Sequence, residues 1–115
     1  MDPYKELRDL SSKLNLIFEP QDWGIINSSS SRTIEFIMFY ENSIMSEHLK
    51  YDFFELIIAS YNDLILDNPK SIEKTRIVFK NFIVKYSDHE PMKIALSYWK
   101  NLEGPEFPVS QYLKE

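Results

Sequence analysis

The sequence predicts an all-α fold: a single domain of about five helices packed around a central helix near residues 46–66. Three observations carry that expectation. Apolar residues recur at three- and four-residue spacing through most of the chain, the period of one helix face. Start and stop signals such as Asp2-Pro3, Ser46, Ser87-Asp88-His89-Glu90 and Gly104-Pro105 fall at the edges of those stretches. Glycine occurs only at Gly24 and Gly104, whereas β-sandwiches and phosphate-cradling loops lean on it.

Asp2-Pro3 reads as an N-cap followed by proline at the first helical position, where a missing N–H costs nothing. Tyr4, Leu7, Leu10 and Leu14 then form one apolar stripe, predicting a helix to about Leu14 or Leu16. Residues 17–31 break the period. Pro20, Gly24 and the Ser28–Ser31 run predict a loop, pinned to the core by Phe18, Trp23, Ile25 and Ile26. Residues 33–40 are apolar nearly all round, with Glu35 the single charge. Periodicity leaves helix and strand open there, and helix is favoured because the next segment is plainly helical.

That next segment, Ser46 to Leu66, is the strongest helix of the chain. At about 100° per residue, Leu49, Phe53, Phe54, Leu56, Ile57, Ile58, Tyr61, Leu64 and Ile65 cover about half its circumference, which exceeds what a surface helix needs. Tyr51, Asp52, Glu55, Asn62 and Asp63 take the narrow polar remainder, with His48 beside them. Asp67-Asn68-Pro69 ends it, and Asn68-Pro69 or Ser71 starts another. There Ile72, Phe79, Phe82, Ile83 and Tyr86 share a face, while Ile77 and Val84 lie opposite among Lys70, Lys74, Lys80 and Lys85. The β-branched content of residues 76–84 leaves a strand as the alternative. Ser87 to Glu90 matches a capping box, and Met92, Ala95, Leu96, Trp99 and Leu102 form a last stripe, closed by Gly104-Pro105. Residues 1–103 thus make the helical domain. Residues 104–115 are a tail, either disordered or laid across the domain by Phe107, Val109, Tyr112 and Leu113.

Composition excludes several chemistries. The chain has 115 residues, 43% of them apolar and 15% aromatic, enough for one real core. Without cysteine there is no disulfide framework and no thiolate metal site. No Glu-x-x-His or His-x-x-x-His pair marks a helical metal site, so His48 and His89 read as solvated and no metal or other cofactor is expected. No Gly-x-Ser-x-Gly elbow or Gly-x-x-x-x-Gly-Lys loop is present, and the carboxylates lie on a polar helix face. The expectation is a non-enzyme. No secretory apolar region follows Met1 and no run of about 18 apolar residues occurs, so the expected compartment is the cytoplasm, without a membrane span.

Charge is the most informative remaining feature. From Ile17 to Pro69 nine acids stand against Arg32 and Lys50, a net of −7, whereas Lys70 to Leu102 carries a net of +4. A small domain segregated in this way can present an acidic surface to a partner or dock its own two halves. Tyr40, Glu41, Tyr51, Asp52, Glu55 and Asp63 are the candidate partner-binding residues: tyrosines supply contact area and carboxylates steer a basic protein.

Trp23-Gly24, Arg32, Glu35-Phe36, Tyr40-Glu41 and the run Phe54 to Ser60 resemble small, acidic, helical bacterial proteins of uncharacterised families, over about residues 20–65. Some proteins of that kind are immunity partners that neutralise a basic nuclease or other toxin. The resemblance implies an acidic helical face that plugs a toxin's basic active site; the basic stretch Lys70 to Lys100 departs from that uniformly acidic pattern. The reading is therefore a non-enzymatic protein-binding module of immunity or adaptor type, with Tyr40 and Tyr51 as anchors and Glu41, Asp52, Glu55 and Asp63 as electrostatic contacts. Two alternatives accompany it: a nucleic-acid-associated protein using the Lys70–Lys100 face, which the net charge of −5 disfavours, and a self-associating protein that buries Ile77 and Val84 between copies.

Overall fold

The computed structural model describes residues 2–114, apart from the side chain of Ser71, and these residues form an all-α single domain. Seven α-helices and no strand occur among them: α1 (Lys5–Lys13), α2 (Trp23–Ile26), α3 (Thr33–Glu41), α4 (Glu47–Asp67), α5 (Glu73–Tyr86), α6 (Glu90–Lys100) and α7 (Val109–Lys114). Short 3-10 turns at Ser30–Arg32 and Pro69–Ser71 lead into α3 and α5. The two helices beyond the expected five are the shortest, α2 inside the expected loop and α7 inside the tail. Both segments left open between helix and strand, 33–40 and 76–84, are helical.

Helix α4 is the axis of the domain. Every residue from Phe53 to Asn62 is buried, so the helix is covered on all sides. Phe53 sits among Trp23, Phe36, Phe39 and Tyr40, with ring centroids 5.7 to 6.3 Å away. On another side Tyr61 stacks on Phe79 at 4.1 Å, and Phe54 meets Phe82 at 5.8 Å. These large rings hold α5 against α4. Helices α2 and α6 also pack against α4, α2 directly on its backbone at Gly24.

Several helix starts differ from expectation. Asp2 does accept the Tyr4 N–H at 2.9 Å and pairs with Arg8, but regular helix begins only at Lys5. Ser46 occupies the N-cap of α4, yet its hydroxyl donates to the Glu6 carboxylate, which also accepts the Ser46 N–H at 3.1 Å. Those bonds hold the Glu6 carboxyl below its ordinary range. Its stabilising contribution is therefore present at neutral pH and lost as pH falls through that lowered value. Glu6→Gln should cost about 0.5–1 kcal/mol, the lower end of cap losses because the group is solvent-accessible; the difference in denaturation midpoint should vanish at acidic pH. Ser87 is no capping-box residue: α5 runs to Tyr86, Ser87 donates back to Val84 O at 2.9 Å, and His89 is the N-cap of α6. Helix α5 starts after Ile72 rather than at Asn68-Pro69, and the alternative start at Ser71 rests on a side chain outside the described set.

Two buried asparagines tie the irregular segments down. Asn27 donates to the Ile17 and Trp23 carbonyls, both at 3.0 Å, and accepts the Ile17 N–H at 2.9 Å. Asn62, expected on the solvated arc of the central helix, is only 5% exposed; it donates to Glu106 O at 2.9 Å and accepts the Val109 N–H at 3.0 Å. Residues 104–114 accordingly lie on the domain, with Val109 and Leu113 buried and Gly104 at φ +112° making the turn; Glu115 lies outside the described residues. In the 17–31 segment Trp23 is buried and donates to Ser11 Oγ at 2.8 Å, whereas Ile25 and Ile26, expected as core pins, are exposed.

Candidate functional site

The candidate residues do not share one surface. Tyr40 is in the core, ringed by Phe53, Phe54, Phe82 and Tyr86, so it cannot anchor a partner as expected. Glu41 is exposed but accepts from Lys85 Nζ at 2.8 Å and from Tyr86 OH at 2.5 Å, so its charge is already answered inside the chain. Both belong to the α3–α5 side. Burial of Tyr40 follows from the apolar α3 sequence, which packs against both α4 and α5.

Tyr51, Asp52, Glu55 and Asp63 do fall on one side of α4, the side flanked by α2 and α6. Tyr51 and Asp52 are half-buried there and Glu55 is buried, so this is not an open face. Gly24 brings α2 onto the backbone of Asp52, Glu55 and Leu56. Next to these residues lies a furrow, a cavity of about 330 Å³ whose lining includes Ile25, Asp63, Leu66, Tyr98, Trp99 and Glu106. Among the described residues no lysine or arginine lines it. Ile25, Leu66 and Tyr98 are 43 to 49% exposed and give the rim an apolar edge.

The electrostatics of the residues beside the furrow are unusual for a solvated helix face. Glu55 is 8% exposed. Burial, followed by the like charges of Asp52 and Asp22, pushes its carboxyl above the ordinary range. Burial also raises the Asp52 carboxyl, with His48 partly offsetting it. The Tyr51 hydroxyl donates weakly to Glu55 at 3.4 Å, and burial beside that carboxylate pushes the phenol up to about 12. Among the described residues neither Asp52 nor Glu55 has a lysine or arginine within ion-pair distance. The buried indole N–H of Trp99 lies near Glu55 without a hydrogen bond of normal length. Asp63 differs, accepting from Ser28 Oγ at 2.6 Å.

Sequence reasoning missed Asp22, Ile25, Leu66, Tyr98 and Glu106. Their common signal was weak: each is an ordinary surface residue of its own segment, and only the α2–α4–α6 packing brings them together. No group of three or more His, Asp or Glu among the described residues is arranged to hold a metal ion, and no helix among them is long and apolar enough to cross a membrane. On the basic side Lys70, Lys74 and Lys80 are exposed, as are Ile77 and Val84, at 63% and 64%.

Fold and site together define an all-α domain with an acidic, aromatic-walled furrow. Comparison with protein-family models, curated proteins and solved structures finds no match to the chain.

Proposed function

We propose that the domain is a non-enzymatic protein-binding module, of adaptor or toxin-neutralising type, whose furrow receives a basic, partly apolar segment of another protein. The observation that carries this reading is the acidic furrow, lined by Asp63 and Glu106 and, among the described residues, by no lysine or arginine. Beside it, the half-buried Asp52 and the buried Glu55 also lack a lysine or arginine partner among the described residues. Burying a charge without its counter-charge is costly, and an incoming lysine or arginine would relieve that cost. The exposed apolar rim would supply contact area around the charge pair, the arrangement of an interface core with a polar surround. The immunity resemblance is a reading of the same kind, with the basic segment belonging to a toxin.

Titration with a designed amphipathic helical peptide tests it, using a Lys/Leu sequence, its Glu/Leu counterpart and tryptophan fluorescence. The Lys/Leu peptide should bind, weakening as salt rises from low to about 0.15 M, where screening sets in within about 8 Å; the Glu/Leu peptide should not. Asp52→Asn should weaken binding about three- to tenfold, in line with a partly desolvated charge contact. Equal binding of both peptides, or no binding of the basic one, would remove the furrow from consideration.

A further inference from the structure

The outer face of α5 is the second feature of the fold left without a covering element. Ile77 and Val84 lie two turns apart, about 10 Å along the helix, and are among the most exposed large apolar residues of the domain. Lys80 stands one turn from each, and Lys74 one turn before Ile77, on the same outward stripe. Neither lysine forms an ion pair among the described residues. The ridge is therefore apolar at its crest, with Lys74 and Lys80 on its flanks and the acid Glu73 one turn before Ile77 at its start. The furrow is the converse, apolar at the rim through Ile25, Leu66 and Tyr98 and acidic through Asp63 and Glu106.

These surfaces cannot meet within one molecule. Phe54 and Tyr61, which receive α5, stand roughly 150° around α4 from Ala59, Asn62, Asp63 and Leu66, which floor the furrow, taking 100° per residue. Between two molecules nothing separates them. We infer that the occupant of the furrow is the α5 ridge of a second copy of this chain, with Ile77 or Val84 against Ile25, Leu66 and Tyr98, and Lys80 between Asp63 and Glu106. The inference rests on the furrow being a docking surface, as proposed above, and names its partner. Because ridge and furrow lie on opposite sides, the contact is heterologous: each copy gives its ridge to one neighbour and its furrow to another, and association continues in an open chain unless its rotation closes a ring. The recognition mode is a helix laid in a groove.

Sedimentation equilibrium over a concentration and salt series tests this, with two variants at exposed sites. Ile77→Glu spoils the ridge and Leu66→Lys spoils the furrow, the latter placing a base in the last turn of α4, where the helix dipole favours it. The average mass of the wild type at low salt should rise past the dimer as concentration approaches about 1 mM, where a contact with a Kd of about 1 mM is half formed. It should return to monomer near 0.5 M salt. Each variant alone should stay monomeric with unchanged helical circular dichroism. Their equimolar mixture should form a heterodimer and stop there, since each keeps one working surface.

A wild type that is monomeric throughout overturns the inference, as does a mixture that behaves like either variant alone. A monomeric wild type that still takes up the Lys/Leu peptide, and loses it on Leu66→Lys, overturns only the second copy as occupant and leaves the furrow's binding role standing. If that peptide is not bound either, the furrow reading fails with it.

Discussion

Gly24→Ala should lower the stability of this domain by about 2–3 kcal/mol, in the range of overpacking in a filled core, and should abolish peptide binding at the furrow. A Cβ on Gly24 would lie 2.7 Å from Leu56 N and 3.1 Å from both Asp52 O and Glu55 C. All three neighbours are backbone atoms of α4, whose surroundings are packed from Phe53 to Asn62, so none can turn aside as a side-chain tip would. Alanine's better helix propensity, about 1 kcal/mol over glycine in a helix interior, counts for less in the four residues of α2 and does not reverse the sign. The loss corresponds to roughly 10 °C in melting temperature for a domain of this size. Trp23, anchored on Ser11 and packed against Phe53, would be levered outward with α2. Ile25→Ala is the control: the side chain is 43% exposed, so the melt should hardly move while binding weakens. A Gly24→Ala protein as stable as the wild type would show that α2 does not owe its position to this contact.

The helices were legible because each carries its own periodicity. The stripes Met92, Ala95, Leu96, Trp99 and Ile72, Phe79, Phe82 are buried as their spacing predicts, and the width of the apolar arc on α4 correctly put that helix at the centre. The polar positions were read less well, because spacing reports which side of a helix is polar and not what covers it. Asn62 and Glu55 occupy the polar arc, yet the tail closes over one and α2 and α6 over the other. The missing signal is long-range: Asn62 bonds a chain segment 44 to 47 residues away. Tyr40 failed as a surface anchor for the same reason, since no local pattern shows that α5 will lie across α3. Ser46 holds its N-cap position, but its hydroxyl bonds Glu6, 40 residues away, and the Ser87 hydroxyl turns back to the Val84 carbonyl, partners that a cap motif ignores.

Glu55→Gln should move stability and binding in opposite directions, the signature of a residue held in place for a partner. In the free protein the Glu55 carboxyl is raised above its ordinary value, first by burial and then by Asp52 and Asp22. A carboxyl whose native value lies above the unfolded one binds its proton more tightly when folded. Its unfavourable effect is thus absent at acidic pH and grows as pH rises through the raised value. Glutamine keeps the shape and removes the charge. The variant should therefore melt above the wild type at neutral pH, and the gap should close as pH falls below the carboxylate range. The difference between the two proteins is the quantity to follow, because Glu6, Glu35 and Glu41, lowered by their own partners, impose the opposite trend on each melt and cancel in the subtraction. Affinity for the Lys/Leu peptide should fall about threefold, since the furrow loses a neighbouring negative charge that attracts the base. A variant that is less stable at neutral pH would mean the carboxylate is already satisfied in the free domain. Unchanged affinity would show that Asp63 and Glu106, which line the furrow, attract the base without help from Glu55.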